Sequence, residues 1–186
     1  MKEIKIIKEK SEDKRAIDWA KEMLAHKQQR LKVENRDPIS YYQNQLLGKQ
    51  SEIVVYQWLS GLVRYPRFPL FADNKPDLLF SHSEDGIEVK CCSIKTQTEW
   101  KSGPSWNIQN KWLEKVLNGE TFNLCLCKEL SDNKIEITWM IKKEEITEVF
   151  KKCLGNPQTK DGLEIKENKH GLHLYESKLI EMYNKR

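Results

Sequence analysis

No apolar run in this chain approaches the roughly 18 to 20 residues that a helical membrane span requires, so no transmembrane segment is expected. The N-terminal stretch MKEIKIIKEK is charged throughout and has no signal-peptide core. There are only five cysteines, an odd count for a disulfide framework, and Cys91 and Cys92 are adjacent. No CxxC pair occurs, which argues against a structural zinc site. Cys125 and Cys127 share one strand face, where thiols act as small buried hydrophobes. His170 and His173, in KHGLH, have no evident third ligand and read as structural, and His82 reads as a solvated turn residue. Repeats and low-complexity tracts are lacking. The expectation from these absences is a protein of a reducing compartment, the cytoplasm, with no membrane contact.

What is present is a charged but foldable composition. Apolar residues make up 38% and charged residues 32% of 186 positions, enough for one domain with a real core. The formal net charge of +4, from 32 Lys+Arg against 28 Asp+Glu, permits an anionic partner without demanding one.

The segment EIKIIK reads as a short strand or a frayed arm. From Ser11 onward Ala16, Ile17, Ala20, Met23, Leu24 and Leu31 recur at helical spacing. Asp37-Pro38 is an N-cap followed by a first-turn proline, which predicts a helix from Ile39 to Leu59 with room for a kink at Gly48 and Gly61 as terminator. The prolines of RYPRFPLF argue for a strand at an edge or with a bend. PDLLF and GIEVKCCSI read as strands joined by the turn SHSEDG. A polar, tryptophan-rich loop, EWKSGPSW, is expected before a helix NIQNKWLEKVL. FNLCLCKEL and IEITWMI form a second hairpin, KKEEITEVFKKC a helix, GLHLY a strand and ESKLIEMYNK a last helix. Mixed strands and helices with hairpins place the chain in the α/β or α+β class.

Within KPDLLFSHSEDGIEVKCC three charges interrupt the alternation. Glu88 and Lys90 lie two apart and share a strand face, while Ile87 and Val89 share the other. A turn at Ser81 to Asp85 folds Asp77 opposite Glu88, at a cross-strand spacing of about 5 Å. Two carboxylates that close repel unless a cation sits between them. Mg²⁺ takes one or two carboxylates together with substrate phosphate, and Lys90 beside them offers a positive donor to a phosphate oxygen or an attacking water. That set suits phosphodiester cleavage. An acid two residues before a lysine is common here: Glu3/Lys5, Glu12/Lys14, Glu99/Lys101 and Glu164/Lys166 all show it. Only Glu88/Lys90 sits in an apolar strand preceded, one hairpin earlier, by Pro-Asp.

Pro76-Asp77 followed by Glu88-Val89-Lys90 resembles the PD-(D/E)XK motif of the restriction-endonuclease-like nuclease superfamily. The resemblance implies an α/β fold with an αβββαβ core, a mixed central sheet flanked by helices, and extra N-terminal and C-terminal helices. On that reading residues 1–186 form a single nuclease domain, with a helical arm over 1–36, a catalytic core over 37–142 and an extension over 143–186. The resemblance further implies Mg²⁺, replaceable by Mn²⁺, held by Asp77, Glu88 and the Val89 carbonyl. Lys90 would orient or help deprotonate the attacking water. Glu52, on the preceding helix, would hold a second metal or an outer-shell water. Gln109 would match a glutamine that members often carry on the helix after the lysine strand.

Two further groups are candidates for gripping nucleic acid. Trp100, Lys101, Ser102 and Trp106 lie in the loop just past the motif, where rings stack on bases and polar groups meet phosphates. Arg64 and Arg67 lie near the neighbouring strand, within expected reach of phosphate. The functional expectation is a Mg²⁺-dependent deoxyribonuclease acting on double-stranded DNA, foremost a site-specific type II restriction endonuclease working as a homodimer. The alternatives are a structure-selective junction-resolving or repair nuclease of the same fold, and a catalytically inactive DNA-binding relative.

Overall fold

Two aspartates open the two long helices. In the structure, a computed structural model that describes residues 2–71, 75–99, 104–120, 122–131, 133–154, 157–160, 163–168 and 171–176, Asp13 caps helix α1 (Lys14–Val33) and Asp37 caps helix α2 (Pro38–Trp58). The Asp37 carboxylate accepts from the backbone N–H of Ile39 and Ser40 at 3.2 and 2.9 Å, satisfying two donors that the first turn leaves unpaired. Helix α2 runs through Gly48 as one element and stops just before Gly61, which takes a φ of +84° that suits glycine. Its buried face carries Leu47, Ile53, Val54 and Val55, and also Lys49, Ser51 and Glu52.

Strands β1 (Lys2–Glu9), β2 (Leu78–Leu79), β3 (Gly86–Cys92), β5 (Asn123–Leu130) and β6 (Lys134–Ile141) make a mixed five-stranded sheet in the order β1-β6-β5-β3-β2. Only the β3/β5 pair is parallel; the others are antiparallel. The chain between β3 and β5 forms helix α3 (Ile94–Glu99), strand β4 (Ser105–Gln109) and helix α4 (Asn110–Leu117). After β6 come helix α5 (Lys143–Cys153) and strands β7 (Gln158–Lys160), β8 (Leu163–Asn168) and β9 (Gly171–Glu176). Strand β4 joins these last three in a second, antiparallel sheet ordered β4-β9-β8-β7.

The main sheet has a core on each face: β5 alternates its side chains between them, and β6 changes face across the register shift between Ile137 and Trp139. Cys125, Cys127, Ile135 and Ile137 join Ile87, Val89 and Leu78 under Leu47, Val54 and Val55 of α2. Leu124, Leu126, Trp139 and Ile141 turn the other way, onto Leu113, Val116, Ile146 and Phe150 of α4 and α5 and onto Ile108, Ile165, Leu172 and Leu174 of the second sheet. Burying side chains of this size contributes about 1.5–3 kcal/mol each relative to exposure. At two points strands approach so closely that only glycine fits. A Cβ on Gly86 would lie 2.0 Å from the Leu78 carbonyl oxygen, and one on Gly171 would lie 1.8 Å from that of Ile108.

Several elements differ from the sequence expectation. The first 36 residues are not only a helical arm, because β1 pairs with β6 and extends the main sheet. RYPRFPLF forms no strand; Pro66 and Pro69 supply no N–H, and an isolated bridge pairs Val63, just before it, with Phe80. Asn107 to Gln109 belong to β4 rather than to the following helix, since Trp106 and Ile108 alternate inward while Asn107 and Gln109 alternate outward. LEIKEN, not expected as a strand, is β8, with Leu163 and Ile165 buried. The expected final helix ESKLIEMYNK lies, apart from Glu176, outside the described residues. No helix among the described residues is long and apolar enough to cross a membrane.

Candidate functional site

The β2–β3 hairpin closes with the Phe80 N–H donating to the Asp85 carbonyl at 2.9 Å. Its register pairs Leu78 with Ile87 and Leu79 with Gly86, which carries Asp77 opposite Glu88. The Asp77 carboxylate reaches across and accepts the Val89 N–H at 2.8 Å. Arg67 braces the same corner by donating to the Pro76 carbonyl at 3.2 Å. Ile87 and Val89 enter the core beneath α2, while Glu88 and Lys90 pair with each other, Nζ to Oε1 at 2.5 Å.

A cleft of about 810 Å³ opens beside this corner. Lys49 and Glu52 from α2, Asp77, Lys90, and Asn107 and Gln109 from β4 line it. Helix α1 and the segment after Phe68 supply an apolar wall that includes Trp19, Met23 and Phe71. The site therefore depends on four stretches that are distant in sequence.

Lys49 was not singled out from the sequence, and its surroundings are unusual. Its ammonium donates to both oxygens of Glu52, at 2.8 and 2.7 Å, and to the Arg67 carbonyl at 2.9 Å. It also lies 4.9 Å from the ring centre of Trp19 and 5.6 Å from that of Phe68, within cation–π range. Both side chains of the pair are nearly inaccessible, at 6% and 7% exposure. A lysine three residues before a glutamate on a helix places both on one face, and that spacing was the available signal.

Burial sets the electrostatics, modified by the neighbours. Desolvation pushes the Glu52 carboxyl well above the usual carboxylate range, Asp77 adds to the rise, and Lys49 opposes it. Glu88 is raised for the same first reason, with Lys90 pulling against it and Asp77 reinforcing it. For Lys90 burial alone would lower the ammonium, but Glu88, Asp77 and Glu52 outweigh it and hold the group above its ordinary value. Lys90 is thus a firmly charged donor rather than a group ready to accept a proton.

The remaining candidates fall in different places. Gln109 is exposed at the end of β4, on the cleft, and not on a helix. Trp106 corrects the expected stacking residue: it is 3% exposed and its indole N–H donates to the Cys127 carbonyl at 2.6 Å, so its face is not presented to nucleic acid. Its alternation with Ile108 on an inward strand face explains why. Arg64 is exposed and pairs with Glu84 at 3.4 Å, whereas Arg67 is partly buried against the Pro76 carbonyl. Trp100, Lys101 and Ser102 lie outside the described residues, as does His170. His173 is partly covered in β9, where burial lowers its imidazole and its ring meets Tyr175.

The donor set suits a hard cation in part. Among the described residues no group of three or more His, Cys, Asp or Glu side chains converges to hold a metal ion. Asp77 and Glu88, brought opposite each other by the register, still offer the two carboxylates that Mg²⁺ commonly uses, the rest of its shell being water and phosphate. The chain matches no family model, no curated protein and no solved structure.

Proposed function

We propose that this chain is a Mg²⁺-dependent deoxyribonuclease with a restriction-endonuclease-like core, most simply a site-specific endonuclease acting as a homodimer on double-stranded DNA. The observation that carries the reading is that Asp77 and Lys90 line one open cleft, with Glu88 paired to Lys90 and the Asp77 carboxylate tied to the Val89 N–H. The order α2, β2, β3, a connection through α3, β4 and α4, and a parallel β5 supports the core assignment, with the Val63–Phe80 bridge as the counterpart of a first core strand.

Asp77, Glu88 and the Val89 carbonyl would hold the ion. A bound divalent cation polarises the phosphate and makes water a better nucleophile at neutral pH. The protein's own groups then have separate tasks. Lys90, held charged by three carboxylates, donates to a phosphate oxygen and stabilises the negative charge that grows there. The Asp77–Val89 hydrogen bond fixes one carboxylate in place before substrate arrives, so less reorganisation is needed during reaction. Gln109 and Asn107 face the cleft from β4 and are placed to orient the substrate backbone. One site per chain and two strands per duplex call for two chains, which is the basis for the homodimer.

Digestion of a long mapped duplex with Mg²⁺, with and without EDTA, tests the reading. Discrete fragments that vanish with EDTA and with Asp77→Ala are expected; cleavage retained by Asp77→Ala sinks the assignment. Cutting confined to branched DNA would identify the structure-selective alternative. The pairing of Lys49 and Lys90 with carboxylates favours a second reading, a non-catalytic DNA-binding relative. Under that reading Lys90→Ala leaves every measured activity intact.

A further inference from the structure

The cleft contains two lysine–carboxylate pairs, and they are not equivalent. Lys90 meets one oxygen of Glu88, and its side chain is 33% exposed, so solvent and substrate reach it. Lys49 meets both oxygens of Glu52, is capped by the Arg67 carbonyl and is walled by two rings. The first pair can open at the cleft surface. The second lines the cleft with only 6% and 7% of its side chains exposed, and a cation entering Glu52's coordination sphere would have to displace an ammonium held by three hydrogen bonds.

We infer that the Lys49 ammonium stands in place of a second divalent ion, so that the cleft takes one ion, at Asp77 and Glu88, and Glu52 serves as the counter-charge of Lys49 rather than as a metal ligand. A fixed ammonium supplies positive charge near the reacting phosphate without depending on metal concentration. It also accounts for a buried carboxylate that, among the described residues, belongs to no group of three or more side chains able to hold a metal ion. The inference rests on the nuclease reading and adds the number of ions and the role of Lys49, a positioning residue.

The test counts ions. The full chain, free and with an uncleavable phosphorothioate duplex, is titrated with Mn²⁺, and bound ion is measured from the loss of the free-ion EPR signal. One Mn²⁺ per chain is expected. Because removing Glu52 alone strands a buried ammonium, the informative variant is the double substitution Lys49→Met with Glu52→Gln, which removes both charges and keeps the volume. It should retain the single ion with affinity within about threefold of the parent, while Asp77→Asn should weaken binding by about tenfold or more. Two ions per chain in the parent, or loss of the ion from the double variant, overturns the inference and leaves the nuclease reading standing. No bound ion with or without duplex overturns both.

Discussion

Lys49→Met isolates the buried charge pair. The substitution keeps most of the side-chain stem against Trp19 and Phe68 but removes an ammonium that donates to three oxygens between 2.7 and 2.9 Å. The Glu52 carboxylate is then left with about 7% exposure and without its hydrogen-bonded counter-charge. Breaking a buried pair in this way costs about 3–5 kcal/mol. At about 2.1 cal/mol/K of unfolding entropy per residue over 186 residues, 4 kcal/mol corresponds to a fall in Tm of about 10 °C. The double variant with Glu52→Gln should recover most of the loss, since a neutral pair of similar volume carries no such desolvation penalty. The pH dependence has a definite sign. The folded-state value of Glu52 is raised, so its favourable contribution is complete below the ordinary carboxylate value and is lost as pH rises through the elevated one. Without Lys49 the rise is larger, and the variant should lose stability more steeply than the parent as pH climbs above the ordinary carboxylate value. Urea unfolding followed by tryptophan fluorescence across that range measures both effects. A single variant within about 1 kcal/mol of the parent, or a double variant as unstable as the single, would refute the reasoning.

Three other perturbations have expected outcomes. Asp77→Asn preserves an acceptor for the Val89 N–H, so unfolding by urea should be little changed while cleavage of duplex DNA falls by about 100-fold or more; full activity would remove Asp77 from the mechanism. Gly86→Ala places a methyl against the Leu78 carbonyl, 2.0 Å away, and should destabilise by about 2 kcal/mol or more, read as a lower urea midpoint with weakened Mn²⁺ binding because the same hairpin carries Asp77 and Glu88. Asp13→Ala removes the α1 cap and the acceptor of Arg15 and Tyr65, at a cost of about 1–2 kcal/mol. Hydrogen bonds from Arg15 hold Asp13 well below the usual carboxylate range, against burial and with help from Tyr65; its contribution is therefore present above the ordinary value and lost as pH falls through the lowered one, and the gap between variant and parent should narrow in acid.

Much of the local structure can be read from short patterns. Asp37-Pro38 opens α2 where capping chemistry says a helix should open, and the alternation of FNLCLCKEL and IEITWMI yields β5 and β6 around a tight turn. The spacing of Asp77, Glu88 and Lys90 was also readable, because a hairpin turn of known size converts sequence separation into a cross-strand neighbour. The second sheet was not. Ser105 to Gln109 sits beside a helical pattern, and its strand conformation depends on β9, whose residues follow some 60 positions later. Trp106 looked like a loop aromatic because nothing in its neighbours reveals the Cys127 carbonyl that receives its N–H.

By itself the sequence determined periodicity, caps, turns and the presence of two acids and a lysine across one hairpin, all of which are set by interactions among residues close in the chain. Tertiary structure alone decided that β3 and β5 run parallel, that β1 closes the main sheet, and that Lys49 is enclosed by Glu52, the Arg67 carbonyl, Trp19 and Phe68. The physical reason is that burial is a property of the whole packed chain. Whether a charged residue on a helix meets water or a carboxylate depends on which distant segments cover it, and that covering turned a commonplace i, i+3 pair into the most deeply enclosed charges of the cleft.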